Sequence, residues 1–213
     1  MPLFSYILIN MEIRKISLSD DYANNYLLIN GGEAILFDAG FNLNHALEKY
    51  IDDCGVKLLG IFITHGHFDH FFALKYWNKE SMPPVFFPKD DADALTDPDK
   101  NVSARYFCAG ETVELTPYLL EDGDETKIGS FTVRTIQTPY HTNGSSCFYV
   151  EEANALFSGD SLFAGGFGRT DLPTGDANLR GTSLAKIAKL PAKTIVYPGH
   201  GEITVLGNEI SRF

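Results

Sequence analysis

The sequence predicts a layered α/β fold in which short strands and helices alternate around one core. Apolar runs of strand length recur along the chain and are separated by turns rich in Gly and Asn. One run, 58–64, is almost continuously apolar, which is typical of a strand buried on both faces of a sheet. A chain of 213 residues suits one sizeable domain, so we expect residues 1–213 to form it, with residues 1–10 as a loosely attached extension.

The strands are predicted wherever a short apolar run ends at a turn residue. In order, they cover 12–18, 25–29, 34–37, 58–64, 130–138, 145–150, 155–157 and 194–197. Helices are predicted over 42–53, with Asn42 as N-cap, from residue 71 to Trp77, and over 178–190, before Pro191. Residues 81–111 are rich in Pro and Asp; no element is predicted there and their role is open.

Composition narrows the classes of function. The net charge is -11 and the basic residues do not cluster, which is unfavourable for binding nucleic acid, because that binding neutralises phosphates with Lys and Arg. The three cysteines are dispersed, which argues against a disulfide framework or a Cys-based zinc site. The apolar run at 2–9 is too short for a membrane span and lacks signal-peptide features. We therefore predict a cytoplasmic protein that binds a small molecule, with no nucleic-acid or membrane partner; its oligomeric state stays open.

The strongest functional signal is the pattern His-x-His-x-Asp-His at 65–70, directly after the apolar run 58–64. It holds three of the six histidines of the chain. A buried, unpaired carboxylate costs several kcal/mol, so such a group must be solvated, paired or bound to a cation. His65 and His67 can point the same way, whereas Asp69 and His70 reach elsewhere. This arrangement suits two adjacent metal ions better than one.

Three more residues of ligand type each follow a predicted strand beside Gly or Pro: His141, Asp160 and His200. Residues at successive strand ends converge on one rim of a sheet, so we expect them to meet the 65–70 motif. Imidazole and carboxylate ligands suit Zn, Fe and Mn alike. Such ions lower the pKa of bound water to about 7, which favours a metal-dependent hydrolase. We predict two divalent ions, with zinc as the first choice and iron or manganese as alternatives. His45, in the first helix, lacks this context and is expected to be a surface or packing residue.

In order and spacing, the seven residues resemble the metal site of the metallo-β-lactamase superfamily, over almost the whole chain from Asp38 to His200. The resemblance implies a four-layer αββα sandwich of two mixed sheets covered by helices, with the site at one edge of both sheets. It also implies one metal on His65, His67 and His141, and a second on Asp69, His70 and His200, with Asp160 bridging them. Asp69 and Asp160 would then act in catalysis beside a metal-bound hydroxide.

Within that superfamily, segments 138–145, 159–163 and 168–176 resemble the glyoxalase II group, which hydrolyses thioesters such as S-lactoylglutathione. An Asp at the bridging position fits this group better than β-lactamases with a Cys there. Two departures concern the substrate. Tyr140 replaces a small or sulfur-bearing residue of the group. Only 13 residues follow His200, so the helical C-terminal domain that holds glutathione is expected to be missing.

Two residues are predicted to bind the substrate, Arg169 and Tyr140. Arg169 stands where a Lys of the glyoxalase II group contacts a glutathione carboxylate, and its bidentate donors suit such a group. Arg169 has an equally weighted interpretation as a surface residue that pairs with Asp171 or Asp176.

Alternative functions come from other reaction classes. Segments 138–143 and 168–171 also resemble persulfide dioxygenases, which hold a single iron on two His and one Asp, so metal content and oxygen consumption would separate the two. A nucleic-acid-cleaving member of the superfamily is disfavoured by the acidic charge, and a non-catalytic binding role leaves the ligand set without a use.

Overall fold

The computed structural model describes residues 11–17, 22–40 and 43–212. Its first sheet has six strands arranged in sequence order: β1 Glu12–Ile16, β2 Asn25–Asn30, β3 Glu33–Phe37, β4 Lys57–Phe62, β5 Val85–Pro88 and β6 Tyr118–Leu120. The first three strands are antiparallel, and β3 to β6 run parallel. Gly31 and Gly32 form the two-residue turn between β2 and β3, and both have positive φ, which glycine adopts without steric cost.

The second sheet also has six strands in sequence order: β7 Glu125–Ile128, β8 Phe131–Gln137, β9 Ser146–Val150, β10 Ala155–Gly159, β11 Ile195–Pro198 and β12 Thr204–Val205. Neighbouring strands of this sheet pair antiparallel, except for β10 and β11, which pair parallel. Because parallel neighbours need a crossover connection, the chain leaves this sheet after β10 and returns through a helix before β11.

Helices cover the outer face of each sheet. The α-helices are α1 Ala46–Asp53, α2 Phe68–Phe71, α3 Arg180–Ile187 and α4 Leu206–Glu209, and short 3₁₀ turns flank them. Leu47 and Ile51 of α1 pack in one cluster with the first sheet, and Leu184 and Ile187 of α3 pack in another with the second sheet. The four-layer αββα sandwich implied by the resemblance is therefore confirmed.

The core between the sheets is aromatic. Strand residues alternate between faces, so Leu27 and Ile29 of β2 face the helices, whereas Tyr26 and Leu28 face the other sheet. Phe37 of β3 stacks on Phe157 of β10 with ring centroids 3.6 Å apart. These contacts bury both sheets against each other and fix the edge where their strands end.

Some predicted elements differ from the structure. The sequence pattern does not indicate β5, β6 or β7, which have three or four residues each. β6 and β7 are edge strands of their sheets and are largely exposed; β7 carries little apolar pattern, and the apolar β6 has only three residues, too short a run to predict a strand. The helix predicted to Trp77 is one α-helical turn followed by a 3₁₀ helix, Phe72–Tyr76.

Three expectations lie outside the described residues: the extension at 1–10, the end of the first predicted strand at Leu18, and the N-cap at Asn42. Within the described part of the chain, no helix is long and apolar enough to cross a membrane.

Candidate metal centre

The seven predicted site residues meet at one edge of the sandwich. The loop and helix after β4 carry four of them, at 65–70, and the ends of β8, β10 and β11 carry His141, Asp160 and His200. The two sets come from different sheets, so the expectation of a single sheet rim is wrong. The backbone N–H of Ser146 donates to the carbonyl of Thr64 at 2.9 Å, which joins the sheets beside the site.

The possible ligand atoms form two main groups. His65, His67 and His141 make up the first, and Asp69, His70 and His200 the second; within each group the ligand atoms lie within 4.8 Å of one another. In the first group, His67 Nδ1 lies 3.1 Å from His65 Nε2 and 2.9 Å from His141 Nε2. In the second, Asp69 Oδ2 lies 3.2 Å from His200 Nε2 and 3.8 Å from His70 Nε2.

Asp160 lies between the two groups. Its Oδ2 is 3.4 Å from Nε2 of His141, in the first group. Its Oδ1 is 3.4 Å from Nε2 of His70 and 3.7 Å from Nε2 of His200, both in the second group. Each carboxylate oxygen thus faces one group, an arrangement in which a single side chain can serve two cations.

The hydrogen-bond inventory fits bound metal ions. Three buried atoms of the site, His67 Nε2, His70 Nε2 and Asp160 Oδ1, have no hydrogen-bond partner among the described residues. A buried polar atom left without a partner costs about 1–3 kcal/mol, so such atoms need an explanation. Coordination of divalent cations would satisfy His70 Nε2 and Asp160 Oδ1, whereas His67 faces its group with Nδ1 and not with Nε2. Five imidazoles and two carboxylates are also a donor set that zinc, iron and manganese accept.

The protonation states of His65, His67 and the two carboxylates suit metal ligation, which needs neutral imidazoles and ionised carboxylates. Burial lowers the pKa of His65 well below its usual range and lowers the pKa of His67 to about 3. Burial alone would raise the pKa values of Asp69 and Asp160, but the charge of His70 beside them outweighs it and holds both below the usual value.

His70 and His200 lie closest to the carboxylates. Burial alone would lower the pKa of His70, but the charges of Asp38, Asp160 and Asp69 raise it well above its usual value. The pKa of His200 is also raised, because Asp69 and Asp160 outweigh the effect of burial. The negative potential of the carboxylates therefore favours a positive charge at this group, whether it is a proton or a metal ion.

Asp38 orients one ligand, and sequence reasoning did not assign it to the site. Its Oδ2 lies 2.8 Å from Nδ1 of His70, and its Oδ1 accepts the backbone N–H of Thr64 at 2.8 Å. A carboxylate on one ring nitrogen directs the other nitrogen towards a metal. Asp38 follows β3 directly and is next but one to Gly40, so the strand-end rule that selected Asp160 applied to it as well.

Asp91 connects two ligand loops and lies in the segment 81–111, whose role the sequence left open. It is buried and accepts hydrogen bonds from the backbone N–H of Gly66 at 2.8 Å, the N–H of Gly144 at 2.8 Å and Oγ1 of Thr142 at 2.6 Å. Burial raises the pKa of Asp91 although these donors oppose the shift. No sequence signal separates it from its exposed neighbours in the same acidic stretch.

A cavity of about 560 Å³ opens over the centre. Its lining combines five of the seven site residues with an apolar wall and one cation: Tyr22, His67, Phe68, Asp69, Val102, Tyr106, Phe107, His141, Asp160, Arg169, Leu172 and His200. The metal centre is therefore reachable by a small molecule.

The two residues predicted to bind substrate differ in their placement. Arg169 lines the cavity, and its guanidinium also pairs with Asp171 at 2.6 Å, so both interpretations of Arg169 describe it in part. Tyr140 is fully buried and its hydroxyl donates to the carbonyl of Ser161. The prediction that Tyr140 contacts substrate is wrong, because the side chain next to His141 points away from the cavity into the core around α3.

Comparisons with known proteins agree with this architecture. Residues 18–200 match the family described as the metallo-beta-lactamase superfamily. The chain is 36% identical over 195 residues to "Probable metallo-hydrolase YqgX" of Bacillus subtilis, with 91% of this chain and 92% of that protein covered. The crystal structure of BLEG-1 B3 metallo-beta-lactamase is 35% identical, with a TM-score of 0.88 over 94% of this chain and 97% of that one.

A second solved structure is similar as well. It is TTHA1623 in a di-iron-bound form, which is 31% identical, with a TM-score of 0.82 over 92% of this chain and 96% of that one. The family match over residues 18–200 covers most of the chain and includes all seven residues of the candidate metal centre. The chain therefore belongs to the metallo-beta-lactamase superfamily.

Proposed function

We propose that the protein is a metal-dependent hydrolase that cleaves thioesters. The observation that carries the proposal is the position of Asp160 between two groups of ligand-type atoms, at the floor of an open cavity. The relative in Bacillus subtilis is described as a probable metallo-hydrolase, which supports the hydrolase class. Thioester cleavage rests on the resemblance of segments 138–145, 159–163 and 168–176 to the glyoxalase II group.

The residues of the chain have distinct roles in this proposal. His65, His67 and His141 would hold one ion and Asp69, His70 and His200 a second, with Asp160 shared. Bound divalent ions would supply Lewis acidity and lower the pKa of water towards neutrality. Asp38 orients His70 through its Nδ1, and the carbonyl of Arg169 lies 2.7 Å from Nδ1 of His141 and orients that ring in the same way.

Asp69 and Asp160 are the proposed catalytic carboxylates. In the metal-free protein the charge of the neighbouring His70 holds the pKa of each below its usual value despite burial, and bound cations would favour the ionised carboxylates in the same way. Their oxygens line the cavity and can accept a hydrogen bond from the attacking water, which orients its lone pair towards the substrate carbonyl. Arg169 lies at the cavity wall, where its guanidinium can bind a substrate carboxylate if it exchanges Asp171 for it.

The test combines metal analysis with a panel of substrates. Wild-type protein, purified without added metal, is analysed for zinc, iron and manganese and then assayed with S-lactoylglutathione and with simpler thioesters. His141→Ala should lose bound metal and at least about a hundredfold in kcat/KM, since it removes a ligand. His45→Ala is the matched control, because His45 is an exposed histidine outside both ligand groups.

Two other activities belong in the same panel. BLEG-1 is described as a B3 metallo-beta-lactamase, so hydrolysis of β-lactams by this chain is measured beside that of thioesters. Oxygen consumption on a persulfide, with a single iron per chain, would favour the dioxygenase alternative from the sequence. Turnover of β-lactams or persulfides without turnover of any thioester would refute the proposed substrate class. Metal-free protein with full activity would refute the proposed metal chemistry.

A further inference from the structure

One wall of the cavity is built from aromatic and aliphatic side chains. Segment 101–107 contributes Val102, Tyr106 and Phe107 to this wall. Phe68 of α2 lies beneath them, with its ring centroid 5.2 Å from that of Tyr106 and 5.6 Å from that of Phe107. Phe107 also stacks on Phe72 with centroids 6.0 Å apart. The wall is therefore a connected apolar surface beside the metal centre.

The fold holds this wall in place at some cost. Asn101 is fully buried; its Nδ2 donates to the carbonyls of Ala94 at 2.8 Å and Glu111 at 2.9 Å, and its Oδ1 accepts the N–H of Ser103 at 2.9 Å. Val102 adopts φ 60°, a left-handed conformation that is unfavourable for a β-branched residue. Such backbone strain persists only where the surrounding structure imposes it. Strained residues cluster at ligand-binding and active sites.

The upper part of the wall is exposed. Tyr106 is 71% exposed, the largest value among the large hydrophobic side chains that the structure describes as exposed. An exposed aromatic surface beside a cavity with convergent polar groups is typical of a ligand-binding site. The apolar side chain of Leu172 lines the same cavity, and Arg169 is its single cationic side chain among the described lining residues. That side chain is paired with Asp171, so away from the metal centre the cavity offers no unpaired Lys or Arg, among the described lining residues, to a second anionic group.

We propose that segment 101–107 binds an apolar group of the substrate, with Tyr106 in direct contact, and that the preferred substrates carry an aromatic or bulky aliphatic group next to the scissile bond. The assignment of that bond as a thioester rests on the proposed function, whereas the preference for an apolar group rests on the wall itself. The apolar group can lie on the acyl side or on the thiol side of the scissile bond. Thioesters that carry the group on one side or the other distinguish these two possibilities.

The first measurement is binding and needs no turnover. Isothermal titration of the metal-loaded protein compares phenylacetate with acetate, two carboxylates that differ by one phenyl group. Burial of that group should make phenylacetate bind roughly tenfold more tightly. Tyr106→Ala should reduce this ratio several-fold without changing acetate binding. Tyr118→Ala is the matched control, because Tyr118 is 61% exposed on β6 and is not part of the cavity lining.

The second measurement is turnover of thioesters that share one half. Phenylacetyl and acetyl thioesters of the same small thiol test the acyl side, and acetyl thioesters of phenylmethanethiol and of a small alkyl thiol test the thiol side. One of the two aromatic substrates should have the higher kcat/KM, and Tyr106→Ala should lower it more than it lowers that of the small substrate.

The outcomes separate the two proposals. Equal binding of both carboxylates, or equal effects of Tyr106→Ala and Tyr118→Ala on the binding ratio, would overturn the inference even if thioesters are cleaved. A binding ratio that depends on Tyr106 supports it, and if no thioester is then hydrolysed, the proposed function fails while the apolar wall stands.

Discussion

Replacing Asp91 with Asn tests whether one buried carboxylate fixes two loops of the metal centre. Asp91 accepts three hydrogen bonds, from the loop between His65 and His67 and from the loop that follows His141. An Asn side chain has the same shape but a single acceptor oxygen, so its amide group must face a backbone N–H that Asp91 now accepts. The variant therefore loses at least one hydrogen bond and leaves a buried donor without a partner.

The magnitude follows from these contacts. A buried donor without a partner costs about 1–3 kcal/mol. Asn avoids the burial of a charge, which is the cause of the raised pKa of Asp91, so the net loss should fall in the lower part of that range, about 1–2 kcal/mol. This is a large share of a typical total free energy of unfolding of about 5–15 kcal/mol. Metal affinity should fall by about tenfold or more, as for other residues that support ligands.

The assay has two parts. Urea unfolding in the presence of a chelator gives the free energy of unfolding of the metal-free protein, and competition with a chromophoric chelator gives the metal affinity. Asp93→Asn is the matched control, because Asp93 lies in the same 3₁₀ helix but is exposed and pairs with Lys100 at the surface. If Asp91→Asn and Asp93→Asn have the same unfolding midpoint and the same metal affinity, Asp91 does not fix the loops.

Three further predictions concern the close packing of the centre, the core and the surface charges. Gly199→Ala places a Cβ 2.4 Å from Oδ1 of Asp160, so the metal content per chain should fall in elemental analysis. Phe37→Ala removes a ring from the core between the sheets and should lower the free energy of unfolding in urea by about 3–5 kcal/mol. Asp122→Asn should lower it by no more than about 1 kcal/mol near neutral pH, because Asp122 is exposed and its partner Lys186 is only half-buried.

The last of these effects depends on pH with a defined sign. Burial alone would raise the pKa of Asp122, but Lys186 and the N–H of Gln137 outweigh it and lower the pKa. A carboxyl group with a lowered pKa contributes stability above the unfolded value of about 3.9 and loses it as the pH falls through the folded value. The difference between the wild type and Asp122→Asn should therefore vanish in acid; a difference that grows on acidification would contradict the prediction.

The predictions for Gly199→Ala and Phe37→Ala each have a result that would contradict them, and Gly199→Ala has a matched control. Gly181→Ala on α3 adds a Cβ that meets nothing within 4 Å, so it should leave the metal content unchanged. A Gly199→Ala variant with full metal content would mean that Asp160 can move aside at no cost. A loss below about 1 kcal/mol for Phe37→Ala would mean that the sheets repack to fill the space.

The site was largely predictable because its signal is local. Each of His141, Asp160 and His200 follows an apolar strand beside a turn-forming residue, and the backbone alone brings such positions to the edge of a sheet. The grouping of these strands into two sheets was not predictable from the residues themselves. Strand pairing depends on contacts between segments far apart in the chain, and neither apolar alternation nor turn residues encode which strands become neighbours.

The contacts beyond the ligands were the least predictable. Asp91 and Asp93 stand two positions apart with the same chemistry, yet one is buried among backbone donors and the other is exposed. The difference arises from Gly66 and Gly144, where a side chain would collide with Asp91. Tyr140 shows the opposite error. Its place beside a ligand suggested contact with substrate, but the turn after β8 directs Tyr140 into the core and His141 to the cavity.

The parallel pairing of β10 with β11 has a consequence for how this protein can change. The excursion between the two strands begins after Asp160, passes Arg169 and Leu172 at the cavity, and returns before His200. Both ends of the excursion are fixed by the sheet, and segment 101–107 lies on another connection between strands of the first sheet. The same two connections also support the ligands, through the carbonyl of Arg169 beside His141 and through Asp91 beside Gly66. A loop graft between relatives should therefore change selectivity without loss of metal only if it keeps these two contacts.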